Sequence, residues 1–362
     1  RTVERIQLPL VRPLATAKGE IAAREVALLV LRDEAGREGL GEAAPLPGFS
    51  AASSTIDAVQ EQLSRGEPLA PEACYATEQA TLDLAAQAAE VPLARLLLGE
   101  TSSTGSTEST DLLRSEQPLT ALPSVPVHRI VRDRTEALDA VEAGGSTLKA
   151  KVGFEPLEQE LARLQEIRAA IGNDLALRVD ANAAWSHEEA HRRLEAYQRA
   201  GLQLELVEQP CATEDLAAHA QLRQLGLAKI ALDESVRTAD QVQAALQAEA
   251  ADVLVLKPQL IGGLRMSVAL AQQAAYAGVQ VFVTNIFEGA VGRAGTVHLA
   301  AALAVRLGEQ LLACGLDTAH FLAEDLVDEV ERREGPDPFG GYAEIPARPG
   351  LGIRLGRGEV TS

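Results

Sequence analysis

Residues 146–182 read STLKAKVGFEPLEQELARLQEIRAAIGNDLALRVDAN. Two short β-like runs, at 147–152 and 175–180, enclose a helical segment at 156–171 that is rich in Ala, Leu, Glu and Arg. This is the pattern of a strand–helix–strand unit. Further β-like runs follow on either side, at 125–131, 204–208, 228–233, 252–257, 279–284 and 311–316, with helical segments such as 187–200 and 265–277 between them. Eight strands at intervals of roughly 25–30 residues predict an α/β fold, a (β/α)8 barrel of the TIM type. Periodicity alone leaves a doubly wound open sheet as the other arrangement.

The chain before the barrel has a different texture. Runs at 3–11 and 24–32, the second followed by DEAGREG, predict an antiparallel pair, and helices are expected near 53–64 and over 72–98, stopping at Gly99. Residues 1–120 thus form an N-terminal α+β unit that ends in a polar, Ser/Thr-rich linker, 100–120. The barrel is expected over 121–320, and 321–362 form a C-terminal segment whose GGYAEIPARPGLGIRL stretch returns to the N-terminal sheet.

Composition removes several classes of function. The 362 residues carry a formal charge of −19, which disfavours nucleic acid and anionic membranes as partners. No apolar run is long enough to span a bilayer, and the opening RTVERIQLPL lacks a signal-peptide core. Cys74, Cys211 and Cys314 are too scattered for a disulfide framework or a zinc spacing. A cytoplasmic protein is expected, of unspecified oligomeric state.

The chemistry collects at the C-terminal ends of the strands, where a β/α barrel places its active site. Lys149 and Lys151 end the second strand and, two positions apart, face the same side. Asp180 ends the third, Glu208 in ELVEQP the fourth, Asp233 in IALDES the fifth and Lys257 in DVLVLKPQLIGG the sixth. A single charge at a strand end is usually the first solvated loop residue. Five consecutive strands that each end on a charge are poorly explained that way.

Three converging carboxylates repel one another unless a cation joins them, and oxygen ligands of this kind suit Mg2+. Removal of a proton beside a carboxylate creates an enediolate, whose developing charge a metal and a lysine stabilise. A lysine acts as base when a nearby cation brings its pKa toward neutrality, and Lys149 beside Lys151 supplies one.

In this order and spacing, LKAKVG, LRVDAN, LVEQP, ALDES and LKPQLIGG resemble the enolase superfamily, muconate-lactonizing-enzyme subgroup. The resemblance implies that the N-terminal unit is a capping domain. It also implies that Asp180, Glu208 and Asp233 bind Mg2+, or Mn2+ in its place, while Lys151 and Lys257 lie on opposite faces of a small carboxylate substrate. Asn182 and Glu234 would support the ligands. Arg178, two residues before Asp180, shares its interior face and is a candidate for substrate or electrostatic support.

The subgroup includes muconate cycloisomerases, dipeptide epimerases, N-succinylamino acid racemases and o-succinylbenzoate synthases. Its dipeptide epimerases carry Asp-x-Asp on the eighth strand, where this chain has Asp317 followed by Thr318 and Ala319. The stretch FVTNIFEGAVGRAGTVHLAAAL and the earlier GLGEAAPLPGFS resemble the synthases, although Thr284-Asn285-Ile286 stand where several synthases are Ser-rich. Thr284, Asn285, Ile286 and Gly263 are candidate substrate contacts, and helix-start amides over 284–292 could bind a succinyl carboxylate. The expected activity is that of an o-succinylbenzoate synthase, a lyase of menaquinone or phylloquinone synthesis. An N-succinylamino acid racemase, another enzyme of the subgroup and a non-catalytic metal-binding protein on the same fold are the alternatives.

Two weaker signals point elsewhere. HEEAH at 187–191 matches a zinc-protease pattern, but Ser186 and Glu189 make it the capped start of an exterior helix. Lys18-Gly19 could form a lid, or simply a surface turn. His128, His298 and His320 read as structural.

Overall fold

The computed structural model describes residues 1–16, 19–99, 122–327, 341–346 and 348–356; the expected linker 100–120 and Lys18 of the expected lid lie outside them. The chain opens with β1 (Thr2–Thr16), β2 (Gly19–Arg32) and β3 (Glu38–Ala43), an antiparallel sheet in that order. Helices α1 (Ile56–Arg65), α2 (Pro71–Ala88) and α3 (Leu93–Leu97) follow. Ala27, Leu29 and Ala43 of the sheet bury against Val59, Leu63, Ala73, Ala76 and Ala80 of the first two helices. Small residues set this spacing: a Cβ on Gly41 of β3 would lie 1.9 Å from the Ala76 carbonyl oxygen of α2.

The single helix expected over 72–98 is two helices. Glu90 takes a left-handed φ of 57°, and Pro92 has no amide hydrogen to continue the ladder.

The short strand β4 (Val125–Pro126) leads into β5 (His128–Val131), the first strand of the barrel. Then come α4 (Arg134–Glu142), β6 (Thr147–Lys151), α5 (Leu157–Ile171), β7 (Ala176–Asp180), α6 (His187–Arg199), β8 (Leu204–Glu208), α7 (Leu216–Gln224), β9 (Lys229–Leu232) and α8 (Ala239–Gln247). The last turns of the ring are β10 (Val253–Leu256), α9 (Pro258–Ile261), α10 (Leu264–Tyr276), β11 (Gln280–Val283) and α11 (Ala290–Leu307). Strands β5 to β11 pair in sequence order, and the paired neighbours run parallel.

The expected eighth strand, 311–316, closes the ring without a continuous ladder. Leu311 and Gly315 bridge Val281 and Thr284 on one side, and Cys314 bridges Val127 on the other. A Cβ on Gly315 would lie 2.4 Å from Thr284 Oγ1, so glycine permits this close approach.

The described part of the GGYAEIPARPGLGIRL stretch adds no strand to the N-terminal sheet, but the C-terminal segment does reach the N-terminal unit. β12 (Tyr342–Ala343) pairs antiparallel with β4, and Gly350 exchanges backbone hydrogen bonds with Val91 and Leu93 beside α3. Earlier in the same segment, Leu322 bridges Leu10 of β1. Ser186 Oγ accepts a hydrogen bond from Glu189 N at 3.2 Å, which makes HEEAH a helix start. Among the described residues, no helix is long and apolar enough to cross a membrane.

Candidate active site

Cross-strand register gathers the charged groups. Lys151 is paired with Asp180, and Asp180 with Glu208, while Glu208 is level with Ala231, two residues before Asp233. Parallel neighbours in register point to the same side, so the side chains of Lys151, Asp180, Glu208 and Asp233 share the barrel interior at its C-terminal rim.

Lys149 sits one layer deeper and reaches up into this group. Its Nζ lies 2.7 Å from Glu208 Oε1 and 3.0 Å from Asp180 Oδ2, and the residue is 8% exposed. Burial disfavours its charge, but Asp180 and Glu208 outweigh that and push its pKa up, so it stays an ammonium. Asp180, although buried, is pulled down to about 2 by Lys149 and then Lys151. Burial and the negative charge of Asp180 push Glu208 up to about 7.

Lys151 is the accessible lysine, its side chain 52% exposed. Its Nζ donates to Asn182 Oδ1 at 2.5 Å and lies 3.7 Å from Asp180 Oδ2. Asn182 Nδ2 in turn donates to Glu234 Oε1 at 3.1 Å. The two lysines of the second strand therefore do face one side, but they meet through a shared Asp180 oxygen. On the far side of the carboxylates, buried Lys257 is ion-paired with Asp233.

As the side chains stand, no three His, Cys, Asp or Glu groups among the described residues converge on one ion position; the lysines take the places between the carboxylates. The donor set nevertheless fits a hard divalent cation. Glu208 Oε2 is buried with no hydrogen-bond partner, and so is Glu234 Oε2. Such oxygens are destabilising unless a proton or a cation meets them, and carboxylates on three adjacent strand ends match the ligand type of Mg2+ or Mn2+.

The five candidate substrate contacts all have partners within the protein. Arg178 points into the interior as expected and is fully buried, its guanidinium held by groups of the protein itself. It donates to Glu205 at 2.5 Å and to the Ala313 carbonyl at 2.7 Å, with Phe282 stacked 4.9 Å from its guanidinium carbon. Gly263 lies against α2, where the next amide, Leu264 N, donates to Glu78. Thr284 donates to the Gly315 carbonyl and Asn285 to Leu316 and Thr318, so both hold the closing segment. Ile286 belongs to an apolar cluster with Leu46 and Leu260, joining the loop after β3 to the barrel.

The helix-start amides are also taken. Glu42 of β3 accepts from Gly289 N at 2.6 Å and Gly292 N at 2.7 Å, and Asp325 accepts from Ala290 N. The chain supplies its own carboxylates where a succinyl tail was expected. Sequence reasoning missed Glu42, although it lies inside GLGEAAPLPGFS; only the contact between the two units gives it a partner.

Residues 132–358 match the family described as Enolase C-terminal domain-like. The chain belongs to the enolase superfamily, in its muconate-lactonizing-enzyme subgroup. It is 29% identical over 370 residues to the L-Ala-D/L-Glu epimerase of Bacillus subtilis (strain 168), covering 96% of this chain and 94% of that one. It is 38% identical over 217 residues to the o-succinylbenzoate synthase of Thermobifida fusca (strain YX), covering 59% and 65%. A substrate-liganded structure of the Bacillus subtilis epimerase superposes with a TM-score of 0.81 at 25% identity, over 97% of both chains. These superfamily relatives include enzymes of more than one reaction, so the shared core leaves the substrate open.

Proposed function

We propose that this enzyme is an o-succinylbenzoate synthase that dehydrates 2-succinyl-6-hydroxy-2,4-cyclohexadiene-1-carboxylate. Asp180, Glu208 and Asp233 would hold Mg2+, or Mn2+, which when bound supplies electrostatic stabilisation of charge on the substrate carboxylate. Lys151, the accessible amine on β6, takes the proton from the carbon bearing that carboxylate, and the C–H electron pair moves into an enediolate. Those electrons return to form the ring double bond as the C6–O bond breaks. Lys151 gives its new proton to the departing hydroxide, so water leaves and the ring becomes aromatic. Lys257, anchored by Asp233 across the site, stays protonated and faces the enediolate as a fixed positive charge. Lys149 remains bound to Asp180 and Glu208, holding two carboxylates at the rim.

The observation that carries the choice lies at the closing segment. Asp317 Oδ2 is ion-paired with Arg129 Nε at 2.9 Å, and the second acidic position of an Asp-x-Asp pair is Ala319. A neutralised single carboxylate is a poor grip for a substrate ammonium, which speaks against a dipeptide epimerase. The partial match to the Thermobifida fusca synthase supports the same reading. An N-succinylamino acid racemase is the second reading, favoured by lysines on both sides of the carboxylates.

The purified protein is offered the cyclohexadiene precursor and, separately, N-succinylamino acids in D2O with Mg2+. Aromatic product without comparable α-deuterium exchange decides for the synthase; exchange without aromatic product decides for the racemase. In this reading the protein is cytoplasmic and acts on a small carboxylate without nucleic acid or membrane.

A further inference from the structure

Gln209 follows Glu208 directly and ties together the ends of all three carboxylate-bearing strands. Its amide N donates to Ala231 O of β9 at 2.8 Å, and its carbonyl accepts from Ala183 N, in the loop after β7, at 2.8 Å. The side chain continues the work. Gln209 Oε1 accepts from Asp233 N at 3.0 Å and from Ser235 N at 3.2 Å. Its Nε2 donates to Cys211 O at 3.0 Å and to Ser235 Oγ at 2.8 Å, and Ser235 Oγ passes a hydrogen bond on to Thr213 O.

The residue is wholly buried, and its backbone is held at a φ of 40°, a left-handed value unusual for a glutamine. Asn182 and Ala183, just beyond Asp180, are also left-handed, at 43° and 61°. Conformations of this kind persist where surrounding bonds over-determine them, and they gather at functional sites. Here the bonds that fix them run between the strand ends that carry Asp180, Glu208 and Asp233.

We propose that Gln209 is a positioning residue that sets the spacing of Asp180, Glu208 and Asp233 and thereby the affinity of the site for a divalent cation. The inference rests on reading those three side chains as cation ligands. An amide fits the position and a carboxylate does not, because one end must accept two N–H groups while the other donates to a carbonyl. No ligand atom comes from Gln209 itself; it fixes where Glu208 leaves its strand and where Asp233 begins its turn.

Mn2+ binding to the full chain, followed by electron paramagnetic resonance of the free ion, tests this without turnover. Outer partners of metal ligands commonly change affinity about 10–100-fold when removed, and that loss is expected for Gln209→Met. Ser235→Ala, which keeps the glutamine but removes one of its anchors, should fall between this variant and the wild type. His298→Asn breaks buried hydrogen bonds far from these strands and should leave Mn2+ affinity unchanged, separating positioning from general loss of stability. Wild-type affinity in both Gln209→Met and Ser235→Ala overturns the proposal, and Ser235→Ala decides alone if Gln209→Met does not fold. A wild-type protein that fails to bind Mn2+ overturns the ligand reading itself, and this inference with it.

Discussion

Lys149 donates a hydrogen bond to Glu208 across 2.7 Å in a pair that is almost wholly removed from solvent. The same ammonium lies 3.0 Å from Asp180, so one buried cation separates two buried anions. The like charges of Lys149 and Lys151 are thereby reconciled: Asp180 stands between them, within reach of both.

Removing that cation exposes the carboxylates to each other. Lys149→Met should destabilise the metal-free protein by about 3–5 kcal/mol, the range for breaking one side of a buried ion pair. Urea unfolding measures this. Saturating Mg2+ should recover more stability in the variant than it adds to the wild type, because it supplies the missing positive charge.

Arg178 gives a different signature. Arg178→Met removes the partner of Glu205 and the donor to Ala313 O. A loss of about 3 kcal/mol is expected in urea unfolding, with KM for the carboxylate substrate little changed. A tenfold rise in KM at unchanged stability would return Arg178 to the substrate site.

Acid should loosen the packing of α3, α11 and the tail. His298 Nδ1 accepts from Ala94 N at 3.2 Å, which leaves Nε2 to donate to Leu351 O at 3.1 Å. Burial pushes its pKa down to about 4 from the ordinary 6.5. A depressed base favours the neutral form in the fold, so its contribution is fully present above pH 6.5. It is lost as pH falls from there toward 4, to a total of about 3 kcal/mol. The urea midpoint should drop over that window, and His298→Asn should lower stability at pH 7 while flattening the dependence.

Much of this architecture is legible in the sequence because repeated βα units leave a periodic trace, and each strand end carries its own charged residue. Asp180, Glu208 and Asp233 can be found by spacing alone, since register in a parallel barrel brings equivalent ends together. Residues whose partners are remote in sequence are harder to read. Glu42 caps a helix that starts near residue 290, and Arg178 shares its interior face with Asp180 but lies a layer below the accessible rim. Periodicity reports the face of a strand and not the depth along it. Gln209 sits inside the quoted LVEQP, yet its importance comes from bonds to residues about 25 positions on.

The most direct measurement of the central claim is turnover of the cyclohexadiene precursor by Lys151→Ala, with Mn2+ binding and unfolding followed on the same sample. Lys151 is accessible and its side chain makes few bonds, so the variant should fold and bind Mn2+ as the wild type does. Formation of o-succinylbenzoate should fall by at least about 1,000-fold, the scale expected when a general base is removed. Wild-type rates of aromatic product from a folded, metal-bound Lys151→Ala protein would contradict the account.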